Sequence, residues 1–137
     1  MQSLLIAIDF DGTIVNDAYP KVGKPQLFAI ETLKKLQSEG HRFILWTYRS
    51  GKHLEEAVNF CKENGILLEA VNASYMGEEF DETTSSRKIN ADIFIDDRNL
   101  GGFPGWTEVY EIIHKKIEFK PEINGEKKNK KEKKWFW

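Results

Sequence analysis

Leu4-Leu5-Ile6-Ala7-Ile8 has no polar position, and the run ends in Asp9. A strand with one face in water alternates in polarity, whereas a strand that is apolar throughout must be covered on both faces. Phe43-Ile44-Leu45-Trp46, ending at Thr47, and Ile93-Phe94-Ile95, ending at Asp96-Asp97, repeat the pattern. Leu67 to Val71 is a weaker version, interrupted by Glu69. Helical spacing fills the intervals. Pro25 is predicted at the first turn of a helix that carries Ile30, Leu33 and Leu36 on one face and stops at Gly40. Leu54, Ala57, Val58 and Cys61 follow at helical spacing up to Gly65, and Val109, Ile112, Ile113 and Ile117 mark a last helix. Strands alternating with helices imply right-handed crossovers and an α/β fold with a mostly parallel sheet. The expected strand order is 3-2-1-4, which sets strands 1 and 4 side by side.

A chain of 137 residues, 40% hydrophobic and 31% charged, is sized for one soluble globular domain. The single cysteine, Cys61, excludes a disulfide framework and a Cys-rich zinc site, and its apolar helical face makes it a core residue. The longest apolar run is too short to span a bilayer, and no basic residue precedes it as in a signal peptide, so the default location is cytoplasmic. The net charge of −2 is uneven: residues 120–137 hold seven Lys and three Glu. The chain therefore divides into a core, 1–119, and a Lys-rich tail, 120–137, ending in Trp135-Phe136-Trp137. The acidic body disfavours nucleic acid as a partner and suits a divalent cation that would carry the positive charge a phosphate needs.

The chemistry-bearing residues stand just past the strand ends. Strand 1 delivers Asp9-Phe10-Asp11-Gly12-Thr13, strand 2 delivers Thr47, and strand 4 delivers Asp96-Asp97-Arg98, with Lys88 shortly before it. Ligands gather at the carboxyl ends of parallel strands, where strand order reverses. Four carboxylates converging there would repel one another and pay for desolvation, and Mg²⁺, which takes oxygen ligands, would relieve both costs. An Asp-x-Asp pair can aim one carboxylate to attack and the other to handle protons, and Gly12 suits the tight turn next to it.

Asp9-Phe10-Asp11-Gly12-Thr13 after a buried strand, with Ile14-Val15 behind it, resembles the first motif of the haloacid dehalogenase superfamily of phosphatases. Thr47, Lys88 and Ile95-Asp96-Asp97 match the second, third and fourth motifs in order. The resemblance implies a three-layer Rossmann-like core and an Mg²⁺-dependent phosphohydrolase that cleaves phosphate monoesters through an aspartyl-phosphate. It implies that Asp9 is the nucleophile and that Asp11 protonates the leaving oxygen and then activates water. Thr47 would bond a phosphoryl oxygen, and Lys88 would offset charge. Asp9, the Asp11 carbonyl, Asp96 and Asp97 would hold Mg²⁺. Neither the interval from Thr13 to strand 2 nor that from Thr47 to Lys88 holds a cap domain, so the chain is similar to the minimal, uncapped branch of small bacterial hydrolases. Such members act on large substrates or on small ones enclosed by a neighbouring subunit, which leaves a homo-oligomer open. The expected partner is a phosphorylated small molecule or other phosphate monoester.

Gly12, Thr13, Arg49 and Arg98 are candidate substrate contacts. Each assignment has a plainer competitor: a helix N-cap for Asp96-Asp97, a solvated charge for Arg49, Arg98, Arg87 or Lys88. His41, His53 and His114 show no metal-ligand spacing and read as surface residues. The segment 74–90, long and polar, is expected to have a functional or lid role. Competing functions are a receiver-like phospho-signalling domain, a catalytically silent phosphate-binding module and a metal-dependent nuclease. The run Asp96-Asp97-Arg98 with Arg49 also keeps a polynucleotide-end phosphatase as an alternative substrate reading. In a receiver-like domain the acidic pair comes early and a lone Asp later, the reverse of the order here.

Overall fold

The computed structural model describes residues 2–123. Four strands, β1 (Leu5–Ile8), β2 (Arg42–Leu45), β3 (Leu68–Val71) and β4 (Ile93–Ile95), form one sheet in the order β3-β2-β1-β4. Every pairing is parallel, and β1 lies between β2 and β4. The helices are α1 (Ala29–Ser38), α2 (Gly51–Glu63) and α3 (Trp106–Ile123). The strand order is the one the alternating pattern predicts.

Period-two alternation sorts the strand residues into two cores. Ile6, Ile8, Phe43, Leu45 and Ile95 point to the helical side, where Leu33 and Leu36 of α1, Ala57 and Cys61 of α2, and Trp106, Val109 and Ile113 of α3 meet them. Ala7, Ile44 and Ala70 point to the other side and pack with Ile89. No helix covers that second face among the described residues. Its layer is the irregular segment after β3, where Ala73, Ile89 and Ala91 close over the sheet. Part of the excursion expected as a lid is thus a covering layer. Burial also pushes the Cys61 thiol up to about 12, as befits a core residue.

Two details differ from the sequence expectation. Helix α1 begins at Ala29, because Pro25 pairs with Val15 in an isolated antiparallel bridge instead of opening the helix. Backbone bonds from Asn16 N–H to the Lys24 carbonyl and from Gln26 N–H to the Ile14 carbonyl make residues 14–26 a small hairpin-like flap. His41 is buried, and its Nδ1 accepts the Leu4 N–H at 3.1 Å, so it is a satisfied core histidine whose pKa burial lowers. Helix α3 runs to Ile123. Trp135, Phe136 and Trp137 lie outside the described residues.

Candidate active site

β1 ends at Ile8 and hands on to Asp9, whose N–H bonds the Ile95 carbonyl of β4 at 2.9 Å. The chain then makes one tight turn: Ile14 N–H returns to the Phe10 carbonyl at 2.9 Å, and Gly12 N–H bonds the Val15 carbonyl at 2.8 Å. Gly12 has φ of 86°, and a Cβ there would be driven into the Asp97 carboxylate. Only glycine lets the first turn lie against the strand-4 loop.

Thr13 is fully buried, and its hydroxyl joins the two loops. It accepts the Asp97 N–H at 3.1 Å and donates to Asp9 Oδ2 at 3.1 Å, with Asp97 Oδ1 at 3.5 Å. The Thr13 carbonyl accepts the indole N–H of buried Trp106 at 2.8 Å. Asp9, Asp96 and Asp97 are thereby gathered so that one oxygen of each lies within 4.8 Å of the others. Burial, the hydrogen bond with Asp97 and the charge of Asp96 push the Asp9 carboxyl up to about 8. Hard oxygen donors crowded at that electrostatic cost fit a hard divalent cation. The Asp96-Asp97 pair caps no helix, since α3 starts at Trp106; Asp96 Oδ1 instead accepts the Arg98 N–H at 2.9 Å.

Asp11 is turned to a different partner. Its Oδ2 accepts Nε–H and its Oδ1 accepts Nη2–H of Arg49, both at 2.7 Å. Arg49 also donates to the carbonyls of Pro20, His53 and Lys21. All five guanidinium N–H groups are used, and the planar group lies between the rings of Phe10 and Tyr19 at 5.1 and 5.2 Å. The hydrogen bonds to Asp11 raise the Arg49 pKa further. Arg49 is therefore neither solvated nor a free phosphate contact.

Thr47 stands two residues past the end of β2. Its N–H bonds Asn72 Oδ1 at 2.8 Å, and its hydroxyl accepts the Arg49 N–H at 3.1 Å. Asn72, in the left-handed region with φ of 52°, escaped the sequence reading because only the β2–β3 pairing places it there. Asp9, Asp11, Asp17, Tyr19, Thr47, Tyr48, Asp96 and Arg98 line one cleft of about 530 Å³. Asp17 and Tyr48 went unnoticed in the sequence, where no spacing marks them. Lys88 is not brought to the cluster: it is exposed, with its ammonium over the Phe94 ring at 5.6 Å. Arg87 lies over Phe80 at 4.3 Å.

A family model of haloacid dehalogenase-like hydrolases matches residues 6–135, which takes in all of the sheet but Leu5 and every residue of this cleft. The chain belongs to the haloacid dehalogenase-like hydrolases. It is 49% identical to a conserved protein of Bacteroides thetaiotaomicron whose structure is solved, with a TM-score of 0.78 over 84% of this chain and 93% of that one. No curated protein matches the chain. As a haloacid dehalogenase-like hydrolase the protein is built without a cap: among the described residues, the intervals between β1 and β2 and between β2 and β4 hold only the flap, the helices, β3 and the covering segment. No described helix is long and apolar enough to cross a membrane.

Proposed function

We propose that this hydrolase is a Mg²⁺-dependent phosphatase that cleaves phosphate monoesters through an aspartyl-phosphate on Asp9. The observation that carries the reading is the packing of Asp9 against Asp96 and Asp97 at the carboxyl ends of β1 and β4. Asp9, Asp96 and Asp97 would hold Mg²⁺, with the Asp11 carbonyl as a further oxygen donor; the ion would supply positive charge against the phosphoryl oxygens.

The Asp9 carboxylate attacks phosphorus as the ester P–O bond breaks, and the leaving oxygen departs into the cleft. Water then attacks the aspartyl-phosphate, which releases inorganic phosphate and restores Asp9. Asp11 is assigned to both steps, giving a proton to the leaving oxygen and taking one from water, and the reading requires its carboxyl to turn from Arg49, which engages both of its oxygens. Thr47 lines the same cleft as Asp9 and Asp11, and its hydroxyl would bond a phosphoryl oxygen there. Lys88 is the cation assigned to offset charge on that group, and the reading requires it to swing from the Phe94 ring. With every N–H of Arg49 engaged inside the protein, a polynucleotide-end substrate keeps only Arg98 in its favour.

The test is turnover of a generic aryl phosphate in Mg²⁺, beside a chelator and beside Asp9→Asn. Mg²⁺-dependent hydrolysis that disappears in Asp9→Asn is expected. Equal hydrolysis by Asp9→Asn, or full hydrolysis in chelator, overturns the reading.

A further inference from the structure

We propose that the cleft selects phosphate esters whose leaving group is a planar ring, with Tyr48 and Tyr19 as its stacking wall; this rests on the phosphatase reading. Tyr48 comes directly after Thr47, and it is 91% exposed, so burial in the core does not account for the large side chain there. Its ring stands 6.4 Å from that of Tyr19 at 63°. Tyr19 is half-exposed but not loose: Arg49, itself fixed by five hydrogen bonds, lies over the ring, and the His53 ring meets it edge-on at 6.0 Å. Both tyrosines line the cleft that contains Asp9. A leaving group emerging from the phosphoryl position therefore meets one immobilised aromatic ring and one free to adjust.

The charges along the same cleft narrow the class. Beyond the acidic cluster, its wall carries Asp17 and a single cation, Arg98. A leaving group with further negative charge meets repulsion from Asp17, and an aliphatic polyol gains nothing from a ring face. A neutral flat ring gains stacking, which any π-face supplies. The ring can be joined directly to the ester oxygen, as in an aryl phosphate, or offset by a sugar, as in a nucleoside monophosphate.

Calorimetric titration in Mg²⁺ of the full chain carrying Asp9→Asn with methyl-, cyclohexyl- and phenylphosphonate and a nucleoside 5′-monophosphate, all four on the same protein, tests this without depending on leaving-group chemistry. At least one flat ligand should bind about tenfold tighter than methylphosphonate, with cyclohexylphosphonate gaining little. Tyr48→Ala should bring the flat-to-methyl ratio close to one, and Tyr48→Phe should keep it. Preference for phenylphosphonate points to an aryl ester, preference for the nucleotide to an offset ring, and either supports the proposal. Equal binding of all ligands, equal gain for cyclohexyl and phenyl, or a ratio that survives Tyr48→Ala overturns it. Failure of the phosphatase reading shows separately, as aryl phosphate turnover that persists in Asp9→Asn.

Discussion

Asp11 and Arg49 form a two-bond ion pair in which both carboxylate oxygens and two of the three guanidinium nitrogens take part, each at 2.7 Å. The Arg49 side chain has no solvent exposure, and that of Asp11 is 16% exposed. Asp11, the proposed acid and base of the reaction, is thus also the partner of a buried charge. Removing one side of such a pair strands the other.

Arg49→Met should therefore destabilise the protein by about 3–5 kcal/mol, read by urea denaturation. Arg49→Lys should recover little, since an ammonium cannot reproduce the fork that also reaches the Pro20, Lys21 and His53 carbonyls. A loss below ~1 kcal/mol in Arg49→Met would show that the pair contributes nothing to the fold.

Asp9→Asn and Asp11→Asn should fail in different ways. Asp9→Asn removes the attacking oxygen, so no labelled phosphate should attach to the protein. Asp11→Asn should slow both steps, by ~10²–10⁴-fold where proton transfer limits them. An aryl leaving group needs little protonation, so label should accumulate on Asp9 of the Asp11→Asn protein. Label trapped equally by Asp9→Asn would assign the nucleophile elsewhere.

Gly12→Ala should separate Asp97 from the cluster. The added Cβ meets the Asp97 carboxylate, and the backbone sits at φ of 86°. The expected result is weaker Mg²⁺ binding by titration, together with a loss of stability greater than ~1 kcal/mol. Unchanged Mg²⁺ affinity in a folded Gly12→Ala protein would remove Asp97 from the set of metal ligands.

The raised Asp9 pKa gives stability a direction with pH. Its carboxyl titrates near 3.8 when unfolded and near 8 in the fold. Between those values the folded chain holds the extra proton, so stability falls as pH rises through that window. In chelator, Tm should drop from about pH 5 to about pH 8, and Asp9→Asn should flatten the slope. Mg²⁺ should restore stability most at the alkaline end and, near neutrality, should release protons as it binds, detectable as a buffer-dependent calorimetric heat. A chelated protein whose Tm rises across this range would contradict the assignment.

Ca²⁺ should inhibit. It takes more ligands than Mg²⁺ at longer distances and can engage both oxygens of Asp9, turning the nucleophile out of line. Equal turnover in the two ions would refute this.

The parts of the fold legible in the sequence were those written locally. An unbroken apolar strand followed by Asp, Thr or Asp-Asp states both its burial and the end where ligands collect, and the order β3-β2-β1-β4 agrees with right-handed crossovers. Pro25 misled because its signal for a helix start competes with a bridge to Val15 that no local pattern announces. Arg49 and His41 misled because charged and polar residues default to the surface, while their actual partners come from distant segments: Asp11, Pro20 and Lys21 for one, Leu4 for the other. Lys88 was placed by motif order, which carries no direction for a flexible side chain. The aromatic wall was invisible because Tyr19 and Tyr48 are 29 positions apart and share no period.

The hydroxyl of Thr13 bonds the amide of Asp97, 84 residues later. During synthesis, Asp9 leaves the ribosome early, yet its surroundings are finished only when β4 docks beside β1. A product that stops short of Asp97 carries Asp9 without the loop that bonds Thr13 beside it. On the proposed reading, the onset of reactivity would be tied to the completion of the core.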